Sequence, residues 1–170
     1  MKGVFALRSV SYSGTFLMLA SLNIMGVHAE PAPAAISFGA GVEKMTENLD
    51  GLCENLALKP IDPPQIPGVS EQTQLDCQGF TYFGAPRLAE FVFGDDALTI
   101  VWILIDENET DALTESFMAT FGEPSHDTPL FTAFTDGYAA VRKDIPEALY
   151  YAPFVADAYQ GWFDQQAGDQ

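Results

Sequence analysis

WILIDENETDALTESF, residues 102–117, decides the fold. An apolar run ends at Ile105, and the carboxylates Asp106, Glu107, Glu109, Asp111 and Glu115 follow. Those acids form either an ion site or the junction between a buried strand and a helix. A calcium loop of the EF-hand kind needs glycine at its sixth position and glutamate at its twelfth. Counted from Asp106, those positions hold Asp111 and Phe117. The junction explains the acids without an ion. Asn108 followed by Asp111 has the spacing of a capping box, and negative charge in a first turn faces the positive end of the helix dipole. Leu113, Phe117 and Phe121 then recur at helical spacing, with Ala112 and Met118 beside them, until Gly122 and Pro124 stop the pattern. The stretch predicts a strand running into a helix.

Working back from Trp102, the run ALTIVWILI over 97–105 hardly alternates. It predicts a central strand, covered on both faces or on one face and by an oligomer partner. Gly94-Asp95-Asp96 is a hairpin connection, 87–93 the preceding strand, Gly84-Ala85-Pro86 a turn, and 73–83 a first strand with Cys77 at its middle. Before these, Val42, Met45, Leu49, Leu52 and Leu56 share one helical face, predicting a helix over 37–56 with Ser37 as its cap. The proline-rich stretch LKPIDPPQIPG reads as an extended linker. Cys53 and Cys77 predict a disulfide that pins this helix to the sheet, contributing ~3 kcal/mol through the unfolded chain.

Beyond the central helix, 130–134 and 138–143 read as paired strands around Asp136-Gly137, and 148–152 as a short last strand. Pro153 opens a helix through Phe163. The expected fold is therefore α+β: antiparallel sheet with helices packed on one face, in the order α-βββ-α-βββ-α, with one disulfide. A single domain over 37–164 is expected, conceivably as two αβββ halves, 37–105 and 108–152, plus the final helix. No motif repeats between the halves. Residues 30–36 and 165–170 read as a disordered leader and tail.

The chain opens like an export signal. Lys2 and Arg8 precede the apolar TFLMLASLNIMGV, and Val27-His28-Ala29 places small residues three and one before a cut after Ala29. That apolar segment is shorter than the ~20 residues a bilayer-spanning helix needs, and no cysteine stands at the cut for lipidation. The mature chain is expected in the periplasm or outside the cell, without membrane insertion. It carries five Lys+Arg against 24 Asp+Glu, a net −19. Such a surface repels nucleic acid and anionic lipid and favours cationic partners or simple solubility.

Several chemistries lack their residues. One histidine, His126, remains beyond the signal, so a histidine-rich metal site cannot form within the chain. Ser125-His126-Asp127 are sequence neighbours, which cannot easily line up as a triad, and they read as loop. There is no GxxxxGK and no GxGxxG. No catalytic, cofactor-binding or metal residues are assigned, and no cofactor is expected.

Two groups of side chains stand out. Arg87, Glu90 and Arg142 fall in apolar strands, where a charge needs a partner. Glu90 with Arg142 is the expected structural pair, and an arginine fork for a ligand carboxylate the alternative. Tyr150, Tyr151, Tyr159 and Trp162 crowd the C-terminal end and divide between core and partner surface. The expected function is a protein-binding module (adaptor, inhibitor or envelope assembly factor), meeting a partner with a basic or aromatic-accepting surface. The alternatives are a small carboxylate hydrolase, a ligand or calcium carrier, and a homo-oligomer joined through the apolar 97–105 strand.

Overall fold

In the computed structural model, which describes residues 32–168, β4 (Ala97–Leu104) runs through a 3-10 turn at Glu107–Glu109 into α2 (Thr110–Phe121). The helix cap sits earlier than the Asn108–Asp111 spacing suggested. Asp106 is the capping residue, and Glu109 reaches back to the Asp106 amide, 3.1 Å away. The reason is an arginine that the local pattern could not show. Arg87, buried in β3 (Ala85–Gly94), donates through Nη1 to Asp106 at 3.1 Å and through Nη2 to Glu109. Two of the five carboxylates thus anchor the junction to the sheet.

The fold is α+β. α1 (Val42–Asn48) precedes the meander β1 (Asn55–Pro60), β2 (Gln72–Tyr82), β3 and β4. α2 precedes a second meander, β5 (His126–Asp127), β6 (Phe131–Phe134), β7 (Ala139–Arg142) and β8 (Glu147–Tyr151), and α3 (Ala156–Gly168) closes the chain. Both meanders form one antiparallel sheet ordered β1-β2-β3-β4-β8-β7-β6-β5. The β4–β8 pairing, with Trp102 opposite Leu149, joins them. Each half holds four strands where three were expected. The strand missed in the first half is β1. The helix expected over 37–56 ends at Asn48, because Gly51 takes φ +72° and turns the chain out of the helix. Leu56, which fits a helical stripe, instead lies opposite Cys77 on the sheet. Lys59 and Pro60 at the end of β1 suit an edge strand, since neither invites another strand to pair.

Side chains alternate between two faces. Phe91, Val101, Ile103, Val141, Ala148 and Tyr150 point to the first face, where α1 and its C-cap contribute Met45 and Leu49 and α2 contributes Leu113 and Phe117, all four fully buried. Burying each such side chain stabilises the fold by about 1.5–3 kcal/mol. Val92, Ile100, Ala133, Ala140, Leu149 and Tyr151 point to the second face, where α3 packs through Phe163. The helices were expected on one face, and α3 departs from that. Residues 153–168 directly follow β8 and roll over the face opposite to α2.

Cys53 and Cys77 are joined, with Cα atoms 5.3 Å apart, holding the segment after α1 against the middle of β2 at the fully buried Cys77. Ala32, Ala35 and Ile36, expected in a disordered leader, lie against the first-face core. The helix α3 extends through 165–168, expected as tail. The proposed signal, 1–29, lies outside the described residues. No helix among the described residues is long and apolar enough to cross a membrane.

Candidate functional site

The second face is covered unequally. Over β6, β7 and β8 it lies under α3. Over β2, β3 and β4 it carries only the 61–71 linker along one side, and a groove of about 600 Å³ remains between that linker and α3. Its floor is Gln74, Glu90, Val92, Ile100 and Trp102. Ile66 and Pro67 form one wall, and Val155, Tyr159 and Trp162 the other.

The linker wall is fixed in place. The side-chain carbonyl of Gln72, itself buried, accepts from the Gln65 and Ile66 amides at 2.7 and 2.9 Å. Asp95, at the β3–β4 hairpin tip, accepts from the Ser70 and Glu71 amides at 2.8 and 3.0 Å. A Cβ on Gly94 would stand 2.7 Å from Val69, so this close approach requires glycine. Asp96 caps α1 by accepting from the Val42 amide at 2.9 Å. The α3 wall is fixed by aromatic contacts. Tyr159 stacks on Tyr151 with ring centroids 4.4 Å apart, and Trp162 meets Phe131 edge-on at 4.7 Å.

Charge crosses the second face of the sheet in register. Asp76, Glu90 and Trp102 are successive cross-strand partners on β2, β3 and β4. Lys59 on β1 takes Asp76 at 2.8 Å, which raises its own pKa, and Gln74 also donates to Asp76. On the other side Arg142 grips Asp144 with two bonds, at 2.7 and 3.0 Å, reaches Glu147 at 3.2 Å, and lies 5.7 Å over the Trp102 ring. This contact depresses the Asp144 carboxyl. Burial pushes the Glu147 carboxyl up, against the pull of Arg142 and with help from the charge on Glu90. Among the described residues, the Glu90 side chain makes neither a hydrogen bond nor an ion pair, although its charge helps to raise the Lys59 pKa.

The expected Glu90–Arg142 pair is therefore not formed. Arg142 has nearer partners in Asp144 and Glu147. Arg87 is remote as well: it stands three residues from Glu90 on one strand, and strand alternation sends the two to opposite faces. The three charges singled out from the sequence do not form one site. The aromatic group also divides. Tyr150 and Tyr151 are buried on opposite faces. Tyr150 meets the Tyr82 hydroxyl at 3.0 Å, and its own pKa is pushed up to about 12 by burial. Tyr159 and Trp162 line the groove. Trp102 belongs to the apolar 97–105 strand, expected to be covered on both faces or on one face and by an oligomer partner. Its signal was the failure of ALTIVWILI to alternate, which places Ile100 and Trp102 on the second face beside α3.

His126 makes a more suggestive array than its neighbours predicted. Ser125 Oγ lies 3.0 Å from Nδ1, and Asp164, from α3, lies 2.9 Å from Nε2. A hydrolytic triad uses the nitrogens the other way round, with Nδ1 toward the acid and Nε2 toward the serine. The Ser125 hydroxyl also donates to the Ala133 carbonyl at 3.0 Å and accepts from the Thr135 amide at 3.2 Å. None of the three lines the groove. The array ties α3 to β5, and His126, followed by Gln160, holds the Asp164 carboxyl below its usual range. Among the described residues, no three His, Cys, Asp or Glu side chains gather as a metal site requires. No protein-family model, curated protein or solved structure shows a significant match to this chain.

Proposed function

We propose that the protein is an exported, non-catalytic binding module, acting as an adaptor, inhibitor or envelope assembly factor, that receives a segment of a partner protein in the second-face groove. One observation carries this reading: the sheet surface of β2, β3 and β4 is left open between two fixed walls, while its counterpart on β6, β7 and β8 is closed by α3. Tryptophan and tyrosine at a partly open surface are frequent anchors of binding, and Trp102, Tyr159 and Trp162 all reach this groove. Export is supported by the basic-then-apolar N-terminal sequence and by the disulfide, which suits an oxidising compartment.

A second reading has its own support. A volume of about 600 Å³ lies within the range of small-molecule sites, so a ligand carrier would use the same groove. Mild crosslinking of the tagged chain in its host envelope, followed by mass spectrometry, separates the two. The binding-module reading expects one abundant partner that disappears with Trp102→Ala while the fold is retained. Repeated absence of an adduct, with thermal stabilisation by a small-molecule library instead, would replace it with the carrier.

A further inference from the structure

We infer that the groove takes a basic side chain, lysine or arginine, presented by an apolar segment of the partner protein, with Glu90 as its counter-charge, Trp102 beside it on the floor and Trp162 on the wall. This rests on the reading that the groove is the binding surface, and adds the chemistry of what enters it.

The inference follows from the charges on this face. Asp76 is satisfied by Lys59 and Gln74, Asp144 and Glu147 by Arg142. Glu90 stands between these two groups on a half-buried strand position; the charge of Lys59 reaches it, but the Lys59 bond goes to Asp76, and no cation contacts the Glu90 side chain among the described residues. Its cross-strand partners are Asp76 and Trp102, one repelling it and the other unable to hydrogen-bond a carboxylate from its ring face. A carboxylate partly removed from water among apolar groups gains most from an added cation. The same floor already shows how a cation is held, since Arg142 sits over one side of Trp102 while Glu147 balances its charge. Glu90 with the rings of Trp102 and Trp162 repeats the elements of that arrangement without the cation. The apolar walls, Ile66, Pro67 and Val155, select flanking residues that are apolar. The net −19 of the chain beyond the signal draws a basic partner toward this face at low salt and repels an acidic one.

The test is selection of a random dodecapeptide phage library on the oxidised chain from Glu30 onward, after depletion on its Glu90→Gln variant. The inference expects survivors with Lys or Arg beside Leu, Phe or Trp. They should bind at least about tenfold more weakly to Glu90→Gln and lose affinity as salt rises. Survivors that are lost with Trp102→Ala or Trp102→Leu but carry no basic residue, or that bind Glu90→Gln equally well, would overturn the inference and leave the groove reading standing. Survivors indifferent to both Trp102 variants, or no survivors, would overturn the groove reading and this inference with it. Butyltrimethylammonium that displaces the peptides and perturbs the Trp102 indole resonance at low millimolar concentration would overturn the peptide assignment and give the site to small quaternary amines.

Discussion

The two halves of the second face are built on the same sheet and end differently. Over β6, β7 and β8 the side chains are Phe131, Ala133, Ala140, Leu149 and Tyr151, buried beneath Phe163 of α3. Over β2, β3 and β4 they are the buried Val92 and Ile100 and the half-buried Gln74, Asp76, Glu90 and Trp102. Chain connectivity explains the contrast. The segment after β8 is free to cross the second face, whereas the segment after β4 is held by Arg87 to the first face and becomes α2. One half therefore stabilises the fold, and the other remains available for contact.

The contrast predicts that changes under α3 cost stability and changes in the groove cost binding. Phe163→Ala should lose about 3–5 kcal/mol in urea unfolding, because a fully buried ring leaves a cavity. Trp102→Ala, at a half-buried site, should lose only about 1–2 kcal/mol; equal losses would erase the distinction. Replacing both Cys53 and Cys77 by alanine should lower unfolding free energy by about 3 kcal/mol and loosen the first half selectively, as hydrogen exchange in β1 and β2 would report.

Tyr151→Phe should stabilise the protein by about 1 kcal/mol, since the buried Tyr151 hydroxyl finds no hydrogen-bond partner among the described residues. A loss of stability on calorimetry would show that the hydroxyl is satisfied after all. Glu147 gives a smaller effect with a definite sign. Its folded-state pKa is raised above 4.5, chiefly by burial, so the native state binds the proton first. Stability contributed by this group should rise as pH falls through the interval above 4.5 and level off below it. Glu147→Gln should flatten that segment. Asp127 and Asp144 act oppositely. They are held low by Lys143 and Arg142, and their contributions fade only at pH below 3.8, so the two windows are separable. Smallest of all, Glu90→Gln should change stability by less than about 0.5 kcal/mol, because no partner is lost.

Much of this architecture was legible in the sequence. β2, β3, β4, β6, β7 and β8 fall within two residues of their predicted ends, since glycine, proline and aspartate punctuate apolar runs at each boundary. The Cys53–Cys77 bridge was also legible, from two cysteines beyond the expected export signal. β1 was not. Asn55–Pro60 is an exposed edge strand with little apolar alternation, and Leu52 and Leu56 continued a helical stripe that Gly51 interrupts. β5, with two residues, is too short to leave a periodic signal. The groove was half legible. Tyr159 and Trp162 stood out by composition, but the openness around Glu90 and Trp102 depends on which face α3 chooses. That choice rests on long-range packing of Phe163 against Phe131 and Tyr151, and local periodicity carries no record of it. The arginine partners were illegible for the same reason: Arg87 meets Asp106 and Glu109 some twenty residues away in sequence.

The measurement that bears most directly on the groove is site-specific photo-crosslinking in the host envelope. A benzophenone side chain would replace Pro67, exposed on the groove wall, in one strain and Met118, exposed on α2, in another. The expected result is a discrete adduct from position 67 that fades in a Glu90→Gln or Trp102→Ala background, and none from position 118. Adducts from 118 alone, or none from 67 in a folded chain, would contradict it.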